Sequence, residues 1–151
     1  MTVAPRQFLR ERRIRFDHCD PAGIVFFPQY QVMFVALIED FIVEQLGISY
    51  ADLIAVRRVG LPTVSLACEF RHPSRMGDRV TLGLAVARLG NRSIALEMEC
   101  RDAERVRVAV RQTIVTTSLD THRPITIPAD LRAAIEAFDP ALRGAPAETT
   151  S

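Results

Sequence analysis

From Pro28 the chain runs PQYQVMFVALIEDFIVEQL before it meets Gly47, nineteen residues with apolar side chains on nearly every side of a helix. Proline suits the first helical turn, where its missing N–H had no intrahelical partner. Glycine accepts the left-handed conformation that stops a helix. The helix predicted over 28–46 is about 28 Å long at ~1.5 Å per residue. Tyr30, Met33, Phe34, Leu37, Phe41 and Leu46 form one stripe, and Val32, Val35, Ile38 and Ile42 carry apolar surface onto the other faces. Such a helix has to be enclosed rather than laid on a surface. Whatever else the chain forms must wrap it.

The remaining sequence supplies the wrapping. From Val59 the apolar period changes to two, the repeat of a half-buried strand. Pro62, Val64, Leu66, Cys68 and Phe70 share one face of VGLPTVSLACEFRH. Val80, Leu82, Leu84 and Val86 alternate with Thr81, Gly83, Ala85 and Ala87, a face small enough for a helix or partner sheet to approach. Ile94, Leu96, Met98 and Cys100 follow. Val106, Val108, Val110, Gln112 and Ile114 come last, opposite Arg105, Arg107 and Arg111, which read as a solvated sheet face. Gly90-Asn91 and Asp102–Glu104 are hairpin signals, and Pro73 with Gly77-Asp78 punctuates the link between the first two long strands. RRIRF at 12–16 suggests a short initial strand. Ser49 is placed to cap a short helix near 50–56, and 128–138 suggests a terminal helix. The expected fold is α+β, a five-stranded antiparallel sheet around one central helix. Residues 1–143 are expected to form a single domain, and 144–151 a disordered tail.

Composition narrows the functional classes. A chain of 151 residues with net charge +1 has no global field for nucleic acid or an anionic membrane. All nineteen basic residues are arginine, so anion recognition must come from local arginine clusters. Three cysteines without a C-x-x-C spacing make a disulfide framework or zinc site unexpected. His18, His72 and His122 lack metal-ligand spacing, so no metal is expected. The N-terminus lacks an apolar core of signal-peptide length. Gln31, Glu39 and Asp40 break the longest apolar stretch, so a cytoplasmic, soluble protein is expected.

The polar segment just before the helix, DHCDPAGIVFFPQY at 17–30, is the candidate site. Asp17 or Asp20 can organise an Asx-turn ahead of Pro21-Ala22-Gly23, a purely structural role. Asp20 also precedes a helix N-terminus, whose unpaired amides can hold an oxyanion. A carboxylate beside such amides can attack a carbonyl or activate water while the amides take the developing charge.

The run D-P-A-G-I-V-x-x-P-x-Y, from Asp20 to Tyr30, resembles the signature of the 4-hydroxybenzoyl-CoA thioesterase family of the hotdog fold. Pro73, Arg75 and Asp78 are similar to that family's P-x-R-x-x-D link, and GNRSIALEMEC resembles the segment after its third strand. The resemblance covers roughly residues 12–120. It implies an acyl-CoA thioesterase with Asp20 as nucleophile or general base and the backbone N–H of Phe27 polarising the thioester oxygen. Coenzyme A would be part of the substrate, with no other cofactor. His18, Tyr30, Val35, Arg92 and Ser93 are the candidate substrate-binding positions, the last two for CoA phosphates, which the guanidinium fork suits. Arg88, Arg71 and Arg75 are weaker phosphate candidates. Asp17 and Cys19 are expected to scaffold or pack, and Glu39 to be structural or to lie at a subunit contact. The family's acid that receives the substrate phenol corresponds to Val35 here. Burying a phenol without a partner costs about 1–3 kcal/mol. The expected acyl group is therefore an unsubstituted aromatic or a short to medium aliphatic one. The resemblance also implies a homo-oligomer, a dimer paired through the strand near 59–71 or a dimer of dimers. Two rivals stand beside this reading. One is a thioesterase acting on acyl carrier protein; the other is an acyl-CoA-binding module without catalysis.

Overall fold

In the computed structural model, which describes residues 4–144, Pro28 opens helix α1 (Pro28–Asp40) and a π-helical turn continues it over Phe41–Gln45. Gly47 ends the run at φ +70°, a conformation costly for any residue with a Cβ. The expected tail at 144–151 lies, apart from Gly144, outside the described residues. Ser49 accepts a hydrogen bond from the Asp52 amide and caps α2 (Tyr50–Ala55).

The strands are β1 (Phe8–Arg13), β2 (Val59–Gly60), β3 (Thr63–Phe70), β4 (Arg79–Leu89), β5 (Ser93–Arg101), β6 (Val106–Val115) and β7 (Thr117–Ser118). Five of them form one antiparallel sheet in the order β1-β4-β5-β6-β3. Both expected hairpins close as anticipated, with Gly90 N–H to Ser93 C=O at 2.8 Å and Asp102 N–H to Arg105 C=O at 3.1 Å. The register sets Phe8, Leu84, Met98, Val110 and Cys68 in one transverse row. The first four are buried and face the helix residues Phe34 and Leu37, which are fully buried. Each large apolar side chain taken out of water in this way contributes about 1.5–3 kcal/mol. This is the hotdog arrangement, one long helix held in a curved antiparallel sheet. The last helix, α3 (Ala129–Phe138), buries Leu131, Ile135 and Phe138, and the Phe138 ring meets Phe41 at 5.1 Å.

Three expectations need correction. The first strand lies at 8–13, not 12–16: Phe8 is its buried anchor, while Phe16–His18 turns into a short 3-10 helix. The strand expected from Val59 is split, because Pro62 has no N–H for a ladder. Val59–Gly60 pairs instead with Thr117–Ser118 in a separate two-stranded ribbon. The third correction concerns enclosure. The sheet covers one side of the helix only, and Val32 and Val35 on the other side are each 61% exposed. The edge strand β3 is equally uncovered, with Val64, Leu66 and Phe70 exposed. The small face of β4 is the outer one; Leu9 lies over Gly83 there, and the helix packs on the opposite face.

Candidate active site

The segment DPAG is the tip of a tight antiparallel loop. Gly23 N–H donates to Asp20 C=O at 2.9 Å and Asp20 N–H to Ile24 C=O at 3.0 Å. Further down, Cys19 bridges Val25, and Phe26 N–H donates to His18 C=O at 2.9 Å. Pro21 supplies the restricted φ of the turn's second residue, and Gly23 takes φ +78°. The second limb of this loop runs straight into α1.

A second layer holds the loop from behind. Ile24 bridges Arg75, Val25 N–H donates to Ser74 C=O at 2.9 Å, and Met76 N–H donates to Gly23 C=O at 3.1 Å. The link 71–78 therefore acts as a backing strip for the loop. Ser74 at its centre is fully buried, and the buried Tyr30 ring lies beneath.

Asp20 is half-buried, and one carboxylate oxygen accepts the Ala22 N–H at 2.9 Å. The Asx-turn role is thus real. The other oxygen has no partner among the described residues. Along the same loop, Phe26 N–H is spent on His18, Pro28 has no N–H, and Gln29 N–H is spent on Phe26 C=O at 2.8 Å. Phe27 N–H, between them, has no acceptor among the described residues. It sits at the N-cap of α1, where the helix dipole adds partial positive charge. Around it lies an exposed cluster of rings: Phe26 to Phe27 at 5.6 Å and Phe27 to Phe70 at 6.0 Å. Phe70 also meets Tyr30 at 6.0 Å.

The other candidates fall into three groups. His18 is half-buried and its Nδ1 accepts the Arg15 N–H at 3.0 Å, so the ring braces the turn it follows. Cys19 donates its thiol to Arg15 C=O at 3.4 Å. Burial, then the charges of Asp20 and Asp17, push that thiol's pKa up, which disfavours the thiolate. Tyr30 is 4% exposed and packs in the core, and burial raises its phenol's pKa. Its side chain presents no open wall to a ligand in a single protomer. Val35 stands on the exposed side of α1. Glu39 is roughly 18 Å along the helix from Phe27 at ~1.5 Å per residue.

Arg92 and Ser93 are not brought to Asp20 within one protomer. They occupy the far end of β4, whereas the Asp20 loop lies against Arg75 at the near end. Eleven residues of strand separate the two ends, on the order of 30 Å at ~3.3 Å per residue. A depression of about 720 Å³ on the outer face of the sheet, lined by Ala67, Glu69, Ala85, Glu97 and Arg111 among others, has no wall from the Asp20 loop. Among the described residues no three His, Cys, Asp or Glu side chains are gathered as for a metal ion.

Two residues of the site escape sequence reasoning. Phe70 reads as part of a strand face, and its period-two position gives no sign that it reaches Phe27. Arg107 reads as part of a solvated sheet face, yet its side chain is only 14% exposed and sits between Asp78 and Asp102 at 2.7 and 2.9 Å.

The pattern of the thioesterase-like superfamily matches residues 14–135, from the end of β1 into α3. The chain belongs to that superfamily. Among solved structures, a gentisyl-coenzyme A thioesterase is 27% identical, with a TM-score of 0.75 over 83% of this chain and 99% of that one. A 1,4-dihydroxy-2-naphthoyl-CoA thioesterase from Synechocystis is 23% identical, with a TM-score of 0.78 over 86% and 96%. A Staphylococcus aureus protein solved in complex with CoA gives a TM-score of 0.81 at 13% identity, over 100% and 93%. No curated protein matches. Thioester hydrolysis is the activity that the superfamily and its named thioesterases support.

Proposed function

We propose that the protein hydrolyses an acyl-CoA to the free acid and CoA, with Asp20 as the essential carboxylate. The observation that carries this reading is the loop's division of labour. One Asp20 oxygen shapes the turn and the other is uncommitted, while at the mouth of α1, from Phe26 to Gln29, Phe27 alone keeps an N–H without an acceptor among the described residues. A thioester carbonyl accepting from Phe27 N–H would develop its negative charge where the helix dipole stabilises it. Asp20 then either takes a proton from a water that attacks the carbonyl carbon, or attacks that carbon itself to give an acyl anhydride, which water hydrolyses to the free acid and the restored carboxylate. The thiolate leaves without needing a strong acid.

The acyl group proposed is aromatic, or a short to medium aliphatic one. The exposed rings of Phe26, Phe27 and Phe70 next to the free amide suit a flat or apolar acyl group. That two structural neighbours are named for aromatic acyl-CoA substrates agrees with an aromatic preference. Val35 offers no acceptor for a substrate phenol, which argues against 4-hydroxybenzoyl-CoA itself.

The working unit proposed is a dimer. Val35 on α1 and Val64 and Leu66 on β3 are exposed apolar side chains, and β3 is an unpaired strand edge, an arrangement that a second copy relieves. If β3 pairs antiparallel with its two-fold mate, the Thr63 end of one copy lies beside the Phe70 end of the other. Ser93 lies at the Thr63 end, through Val115 and Ile114 of β6. The partner subunit's Arg92 then approaches the Asp20 loop, where it can serve a CoA phosphate.

A panel of acyl-CoA esters with a thiol-trapping dye tests the reading. Asp20→Asn should lower kcat by about 10²–10⁴-fold, the usual contribution of a positioned acid or base. Full activity in that variant would overturn the assignment. Arg92→Ala should raise KM for CoA esters much more than for pantetheine-truncated esters.

A further inference from the structure

Arg107 has no contact with the candidate catalytic groups, yet it is the most heavily engaged side chain near them. Its Nη1 donates to Asp78 Oδ2 at 2.7 Å, and its Nε and Nη2 donate to Asp102 Oδ2 at 3.1 and 2.9 Å. Its backbone carbonyl accepts Arg71 N–H at 2.8 Å and His72 N–H at 3.1 Å. One residue thus holds both ends of the 71–78 strip, the first through its backbone and the last through its side chain.

Each end of this arrangement is itself fixed. Asp102 Oδ1 accepts the amides of Glu104 and Arg105, both at 2.8 Å, so the β5–β6 turn anchors the carboxylate. Asp78 Oδ2 also accepts Arg75 N–H at 2.9 Å, and its C=O accepts Ile14 N–H at 2.8 Å. Arg75 is the residue that bridges Ile24, and its neighbours Ser74 and Met76 bond Val25 and Gly23. An unbroken series of hydrogen bonds therefore runs from the β5–β6 turn through Arg107 and Asp78 to the turn that carries Asp20.

We infer that Arg107 is a positioning residue for Asp20, setting the height of the D-P-A-G turn relative to the Phe27 amide through the 71–78 strip. The planar guanidinium is needed because two carboxylates on different elements must be held at fixed separation; an ammonium is a point charge without that fork. Preorganisation of this kind matters because displacement of a reacting group by about 1 Å can cost on the order of 10² in rate. The inference rests on the proposed thioesterase role of Asp20.

The test compares Arg107→Met, Arg107→Lys and Asp78→Asn in the full-length protein, by acyl-CoA hydrolysis and by amide hydrogen exchange. Asp78→Asn keeps an acceptor for Arg75 N–H while removing the charge that Arg107 holds. Expected are a loss in kcat of tenfold or more with KM within twofold, and only partial recovery in Arg107→Lys. Exchange should quicken at Gly23, Val25 and Met76 amides and stay unchanged at Leu96 and Met98 of β5. In an Asp20→Asn background the Arg107→Met change should alter the residual rate less than twofold, because its effect acts through Asp20. A wild-type kcat in Arg107→Met, with Asp20→Asn inactive, overturns the inference alone. An equal loss in both backgrounds, or uniform loosening of exchange, also overturns it by making Arg107 a general staple. Should Arg107→Met fail to fold, the same criteria apply to Asp78→Asn. Full activity in Asp20→Asn overturns the catalytic reading itself.

Discussion

At the scale of single residues, the turn that carries Asp20 depends on backbone geometry that other side chains tolerate poorly. Gly23 has φ +78° and open space where a Cβ would stand, so substitution meets strain and no clash. Gly23→Ala is expected to cost about 1–2 kcal/mol, the left-handed penalty, measured by urea unfolding. It should also reduce kcat, since relief of that strain displaces Asp20. Asp102 sets a second expectation. The amides of Arg105 and Glu104, and then the Arg107 guanidinium, hold its pKa at about 2, below the ordinary 3.8. A carboxylate lowered in the folded state adds stability that is full above its unfolded pKa and lost as pH falls through the folded one. Asp102→Asn should therefore flatten the fall in stability between about pH 4 and pH 2 and destabilise the protein at neutral pH. Urea midpoints across that range check both.

The elements differ in how completely their faces are used. Helix α1 has a buried side, with Phe34 and Leu37 fully enclosed. Leu37→Ala should cost about 2–5 kcal/mol, because the rigid sheet around it cannot collapse to fill the space. The same urea unfolding measures that loss. The opposite side of α1 and the strand β3 are apolar and exposed in a single protomer. Leu66→Arg is expected to leave the monomer fold intact by circular dichroism while shifting sedimentation toward monomer. If the assembly survives that change, β3 is not the contact.

For the whole molecule, the separation of Arg92 from Asp20 along the length of β4 makes a distinctive prediction. If one site takes Asp20 from one subunit and Arg92 from the other, two damaged proteins should complement. Asp20→Asn and Arg92→Ala subunits, mixed, dissociated and reassembled, should regain about a quarter of wild-type activity at low substrate, since half the dimers are mixed and each has one intact site. No gain on mixing would mean that Arg92 serves no site with Asp20. Among the described residues no helix is long and apolar enough to cross a membrane.

Much of this is legible in the sequence itself. Pro28 and Gly47 bracket the helix in sequence and in structure, and the period-two runs mark β4, β5 and β6 because buried and exposed positions alternate along a pleat. The D-P-A-G turn can be read because proline and glycine restrict the backbone locally. The first strand is misplaced by pattern alone because its arginines and glutamate mask the alternation around Phe8. What local pattern cannot show is which distant segments meet. Arg107 has the spacing of an outward residue; only the approach of the 71–78 strip and the β5–β6 turn encloses it between two carboxylates. Phe70 ends an ordinary strand, and only strand order sets its ring against Phe27. Periodicity and turn chemistry are properties of neighbours along the backbone, so the sequence alone determined the central helix, the strands β4, β5 and β6, and the D-P-A-G loop. Enclosure, the edge left open at β3 and the fastening of the Asp20 turn come from contacts between remote segments, and the tertiary structure alone decided them.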